Sequence, residues 1–328
     1  MKWTDSEITP FLHSRYGYLL MSLTAVAAVA YAAFSTVLPV IDTPVLTGFA
    51  HASEWIHAKP LQLLGGIVLA VATSLLLVGV NKQYNVVRGL SLLYAAMYLV
   101  FTAATPVIMA NLSGGAVMAV VWLLSLIPLF SSFQNPLATR RVFITFCIVS
   151  AGCLLFMPVA ALIYIPVYFA GCAQMRCLNL KCFLAALIGI VTTLWILFWL
   201  DIEGLVAINM SWKPSWPPVR LDSGMLPFYA AVAVTIVCGG LFGMFNLIKI
   251  YSYNARARAN NGFITLSAVV TVALIFADSA NAAAYVPLLN VCAAIQTGHF
   301  FSINNHRKSY IGIFVVLAAY ASLYCWNV

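Results

Sequence analysis

The sequence predicts an all-α polytopic membrane protein: one helical bundle, residues 1–328, of about eleven transmembrane helices with the N-terminus inside and the C-terminus outside. Three observations predict it. Of the 328 residues, 63% are hydrophobic and 7% charged, whereas soluble domains are about 45–50% apolar and about 25% charged. The apolar residues run in unbroken stretches such as Phe183 to Leu200, not in the alternating segments of about ten residues that a membrane β-barrel requires. The basic residues fall on every second connection between these stretches, as retention of Lys and Arg on the cytoplasmic side demands.

About 20 apolar residues cross the hydrocarbon. On that rule helices fall near 17–40, 60–80, 89–104, 112–131, 142–157, 159–174, 182–200, 225–249, 263–277, 284–302 and 309–325. The first begins like a signal-peptide core, but its apolar run continues to Val40, so it is expected to persist as an uncleaved span. The fifth and sixth are short, since 16 residues rise only about 24 Å. Pro158 between them favours a turn over one continuous helix. In the eighth, Gly239 and Gly243 are spaced by four, the pattern of a close helix contact.

Charge tests the count independently. With the N-terminus inside, the inner segments hold Lys2, Arg15, Lys82, Arg88, Arg140, Arg141, Arg176, Lys181, Lys249, Arg256, Arg258, Arg307 and Lys308, which is 13 of the 16 basic residues. The outer segments hold six of the eight acids: Asp42, Glu54, Asp201, Glu203, Asp222 and Asp278. Merging the fifth and sixth spans would break this alternation. The net charge of +8 is thus an orientation signal and an attraction to anionic headgroups, and no nucleic-acid partner is implied. Membrane lipids are the expected partners.

Eight cysteines suggest no disulfide framework. Cys172, Cys177 and Cys182 repeat every five residues, which matches no metal spacing and would put the thiols on different helix faces, so they read as packing residues. No internal repeat, Walker A loop, G-x-G-x-x-G or G-x-S-x-G is present.

The candidate site residues lie at the outer face. In the loop 41–59, His51, Glu54 and His57 recur every three residues and would share one side of a short interfacial helix. With Asp42 just beyond the first span, they would bind a polar substrate or a cation, or simply form a solvated face. Asp201 and Glu203 follow the seventh span and Asp278 the ninth, so several carboxylates reach one level, where a pair would suit a divalent cation or acid–base work. Trp212 and Trp216 bracket a Pro-rich turn in the loop 201–224 at headgroup depth. Within the spans the polar exceptions are Gln62, Asn246, Asn290, Gln296 and His299. No charged residue sits clearly at mid-depth, which weighs against ion-coupled transport.

Two resemblances rest on specific stretches. QLLGGIVLAVATSLLLVGVNKQYNVVRGLSLLYAAMYLVFTAATPVIMANLSG, followed by RRVFITFCIVSAGCLLFMPVAALIYIPVYFAG, resembles an uncharacterised polytopic inner-membrane family of the Bacteroidota. Its marks are the Asn81 to Tyr84 turn, Thr105-Pro106, Ala110-Asn111 and the hairpin at Pro158. The resemblance implies the cell inner membrane. The order of elements is also similar to the GT-C superfamily of glycosyltransferases, which use polyprenyl-phosphate sugars. That resemblance implies Asp42 in the place of the catalytic acid, acting as general base or binding a divalent cation that neutralises a leaving phosphate, assisted by Glu54, Asp201 and Glu203, and residues 47–58 as a surface helix. The usual acidic pair of that superfamily is absent, and Asp42 stands alone. Three functions follow: a GT-C-like protein handling a polyprenyl-linked glycan or lipid at the outer face, a carrier or lipid flippase, or a scaffold for other envelope proteins.

Overall fold

The computed structural model describes residues 5–35, 58–89, 91–205, 225–249, 253–304 and 308–328. A short helix α1 (Asp5–His13) breaks at Ser14 into α2 (Arg15–Ser35). The chain continues as α3 (Lys59–Tyr84), α4 (Leu93–Ala103), α5 (Pro106–Ala110), α6 (Gly114–Ser131), α7 (Thr139–Phe156) and α8 (Tyr164–Gln174). It ends as α9 (Leu180–Ile202), α10 (Leu226–Ile248), α11 (Ala255–Ala277), α12 (Ala282–Ile303) and α13 (Ser309–Asn327). No strand occurs among the described residues.

Among the described residues, nine helices are long and apolar enough to cross a membrane, which makes the chain a multi-pass, all-helical membrane protein. The third and sixth predicted spans are instead two shorter apolar helices, Leu93–Ala103 and Ala160–Gln174, so the count of eleven holds only if both are crossings. Proline shapes each. Pro106 disfavours helical backbone at Thr105 (φ −115°, ψ 73°), and the chain restarts as α5. Pro158 follows the end of α7 and opens a 3₁₀ turn, Val159–Ile163, that leads into α8. Residues 142–174 are two helices: Gln134 N–H donates to Met175 O at 2.8 Å and Asn179 Nδ2 to Pro136 O at 2.7 Å, so α8 ends where α7 begins.

The bundle is organised around α12. Of its span, 83% is buried, against 17% for α13 and 22% for α9, so α12 is a central pole and the other two face lipid. α12 packs on α4, α6, α10 and α11, while α9 leans chiefly on α7. Close approach is made by residues without side chains. A Cβ on Gly298 would overlap Tyr94 of α4, and one on Gly239 would meet Ala293 Cβ at 3.0 Å. Gly239 therefore makes the expected close contact, whereas a Cβ at Gly243 would find its nearest neighbour, Gln296, at 3.7 Å.

One sequence expectation is corrected at the end of α8. Arg176 is left-handed (φ 55°), Arg176 N–H donates to Ala173 O at 3.0 Å and Cys177 N–H to Cys172 O at 3.2 Å. These are the two bonds of a Schellman cap, whose outer residue folds back on the last full turn. The five-residue spacing thus brings Cys177 onto Cys172, with Cys177 Sγ 3.4 Å from Cys172 O, instead of separating the thiols on different faces.

Cations gather at one end. Arg141 Nη1 donates to Ser131 O, Arg256 Nη2 to Phe130 O at 3.4 Å and Lys249 Nζ to Asn304 Oδ1 at 2.8 Å. Each bond neutralises a helix-terminal carbonyl or joins neighbouring helix ends. At the opposite end α9 finishes at Asp201 and Glu203, and α11 at Asp278.

Candidate functional site

Of the sequence-named site acids, Asp201, Glu203 and Asp278 lie among the described residues. Asp201 and Glu203 are exposed at the tip of α9. Asp278 is fully buried and already engaged: Asn281 Nδ2 donates to its two oxygens at 2.9 and 3.0 Å, and Tyr285 Oη donates to Oδ2 at 2.8 Å. Charge-assisted bonds of this kind are strong, and here they tie the end of α11 to the start of α12. Asp42, His51, Glu54, His57, Trp212 and Trp216 lie outside the described residues. No three His, Cys, Asp or Glu side chains converge to hold a metal among those described.

A polar cavity opens at the basic end. It encloses about 370 Å³ and is lined by Asn85, Arg88, Tyr253, Asn254, Ala257 and His299. Two connections and the ends of α11 and α12 supply it. Asn85 terminates α3 in the left-handed conformation (φ 51°, ψ 49°), its N–H bonded to Asn81 O. Asn81 Oδ1 accepts from Val87 N–H at 2.6 Å, which turns the chain so that Arg88 faces the end of α12. Asn254 caps α11, its Oδ1 accepting from Ala257 N–H at 2.8 Å, and so sets the helix N-terminus, with its partial positive charge, against the cavity.

His299 links these pieces. It is 2% exposed; its Nδ1 accepts from Arg88 N–H at 3.3 Å and its Nε2 lies 3.1 Å from Tyr253 Oη. The two contacts hold the ring between the Arg88 main chain and the Tyr253 hydroxyl. Burial pushes this phenol above its ordinary value of 10.0, with Arg88 pulling it partly back, so the hydroxyl remains a donor at neutral pH. The Arg88 guanidinium sits 5.8 Å above the Tyr253 ring, a cation–π contact that fixes it at the rim. Among the described residues no acid lines the cavity. Its donors are a guanidinium, a phenol, two amides and a helix N-terminus, an inventory suited to an oxyanion.

A second cavity lies two helical turns deeper between α10, α11 and α12. It measures about 310 Å³ and opens sideways between Met244 on α10 and Val269 on α11, which are 64% and 60% exposed and so face lipid. Its floor at the basic end is polar: Asn246 Nδ2 donates to Gln296 Oε1 at 2.7 Å, and Gln296 Nε2 to Thr265 Oγ1 at 3.2 Å. Farther in it is apolar, lined by Ile236, Val272, Leu289 and Ala293.

Sequence reasoning found His299, Asn246 and Gln296 as polar exceptions but not the pocket, because Arg88 and Tyr253 come from two connections and His299 from a helix, all far apart in the chain. The available signal was the Asn254 cap before an apolar run. No family model matches the sequence, and neither a curated protein nor a solved structure is significantly similar to it.

Proposed function

We propose that this multi-pass membrane protein binds a phosphate-type anion in the pocket formed by Arg88, Tyr253 and His299, with the basic end facing the cytoplasm of the cell inner membrane. The single observation that carries the reading is a donor set, the exposed Asn85, Arg88 and Asn254 around the buried Tyr253 and His299, with no carboxylate among the described residues of its walls. An anion entering the recess would meet the Arg88 guanidinium at the rim and the Tyr253 hydroxyl, backed by buried His299, and be held by charge-assisted bonds. The clustering of Lys and Arg on that end supports the orientation.

The test is calorimetric titration of the detergent-solubilised protein with inorganic pyrophosphate. Arg88→Gln should weaken binding about tenfold or more, the loss of one charge-assisted bond. Tyr253→Phe should weaken it less. Wild-type protein that fails to bind, or binding indifferent to both changes, would reject the proposal. The finer reading, sugar transfer from a polyprenyl-linked donor at the outer face, rests on Asp42. Asp42→Asn should then abolish transfer while leaving pyrophosphate binding intact.

A further inference from the structure

The two cavities have no lining residue in common but lie in succession along the same two helices, α11 and α12, in an order that matches an amphiphile. On α12, His299 lines the polar pocket and Gln296, one turn earlier, lines the lateral groove. On α11, Ala257 lines the pocket and Thr265 the groove, eight residues or about 12 Å along the axis. Moving from the basic end inward, a ligand would meet a guanidinium and a phenol, then the Gln296 and Thr265 polar groups, then a mainly apolar wall that ends at Thr235, whose hydroxyl is already bonded to Ala231 O and Tyr320 Oη. That is the sequence of phosphate, ester and hydrocarbon in a membrane lipid.

The length fits as well. The groove follows α10 from Leu247 to Thr235, twelve residues or about 18 Å, while one leaflet of hydrocarbon is about 15 Å deep. Its width comes from missing side chains. A Cβ placed on Gly240 would meet nothing within 4 Å, so here glycine holds a space open where Gly239, its neighbour, brings two helices together. The Met244 and Val269 ridges expose the groove to the bilayer, so a chain can enter sideways without leaving lipid.

We infer that the pocket and the groove form one site for a phosphate-bearing membrane lipid of the basic-side leaflet, its headgroup against Arg88 and Tyr253 and its hydrocarbon chain along Gly240 and Gly243. This rests on the anion reading of the pocket and names its occupant. An apolar groove alone would accept any chain, and a basic pocket alone any soluble phosphate. Their stacking on the same two helices favours a molecule that has both parts.

The experiment uses dioleoyl phosphatidic acid, dioleoylglycerol and inorganic pyrophosphate as probes on the full chain in detergent, read by native mass spectrometry for the lipids and calorimetry for the anion. Phosphatidic acid should bind at least about tenfold more tightly than dioleoylglycerol, and Arg88→Gln should remove that preference. Gly240→Phe, whose Cβ has no neighbouring atom within 4 Å, should weaken phosphatidic acid about tenfold or more and leave pyrophosphate unchanged. If pyrophosphate binds and depends on Arg88 while Gly240→Phe leaves the lipid unaffected, the anion site stands and the lipid inference falls. If neither phosphate probe binds, both fall. Should Gly240→Phe lower the yield of folded protein, Gly240→Leu serves, judged by the same contrast between lipid and pyrophosphate.

Discussion

The central pole can be tested at Gly298, where α12 lies against α4. A methyl group placed there would lie 2.7 Å from the α-carbon of Tyr94 and 2.9 Å from its backbone nitrogen, and would overlap its Cβ, whereas ordinary van der Waals separation begins at 3.4 Å. Relieving the clash with the α-carbon by itself requires the helices to part by 0.7 Å, the difference between 3.4 and 2.7 Å. Neither helix has room to retreat, since Tyr94, Met97 and Tyr98 on α4 are 1%, 0% and 1% exposed. A radial gap of 0.5–1 Å forfeits roughly a quarter to a half of each dispersion attraction along the seam, and overpacking of this kind costs about 1–3 kcal/mol. Gly79 on α3 is the control, because a Cβ there meets nothing within 4 Å. There alanine should stabilise the helix by roughly 0.5–1 kcal/mol. Gly298→Ala and Gly79→Ala should therefore differ by roughly 1.5–4 kcal/mol in denaturant unfolding of the detergent-solubilised protein. His299 is the next residue, so Gly298→Ala should also weaken pyrophosphate binding. A Gly298→Ala protein as stable as Gly79→Ala would refute the packing argument.

Three further outcomes are expected. Asp278→Leu strands the Tyr285 hydroxyl and the Asn281 amide, at roughly 1–3 kcal/mol for each; adding Tyr285→Phe should recover part of the loss in a double-mutant cycle, and strictly additive losses would show that the bond contributes nothing. His13, on α1 outside the spans, is held below its ordinary value of 6.5 by burial; its Nδ1 is bonded to Ser91 Oγ at 2.6 Å and its Nε2 is buried with no acceptor among the described residues. The unfolded state then takes up the proton first, so this contribution is complete above pH 6.5 and is lost as pH falls from there toward the lowered folded value. Wild-type protein should lose more stability than His13→Gln between about pH 7.5 and 5.5, and equal losses would dismiss the effect. Cys325 is the exposed thiol among the eight, near the end of α13; a membrane-impermeant maleimide should label it from outside in spheroplasts, with Cys325→Ser as the blank, and labelling only after lysis would invert the proposed orientation.

Nine long apolar helices among the described residues were legible because apolar length is the one property a bilayer demands of a helix, and the break at Pro158 was legible because proline withholds a donor. α1 was not, since DSEITPFLH reads as a polar leader until Thr9, Leu12 and His13 are seen buried together. Nor does hydropathy say which helix is central. Lipid tails are as apolar as leucine, so burial inside a bundle is driven by small and polar residues. On that criterion α12, with Asn290, Gln296, Thr297, Gly298 and His299, could have been picked out over α9, whose Trp195, Phe198 and Trp199 are exposed. The pocket required more than any such rule. In the chain Arg88 is one more cation on the inner side, equivalent to Arg140 or Lys181. Only the fold distinguishes it, by closing the turn after α3 against His299, 211 residues away, and by placing Tyr253 beneath the guanidinium. Orientation charge and binding charge are the same residue type with the same sequence signature, and what separates them is whether a buried donor network stands behind the cation.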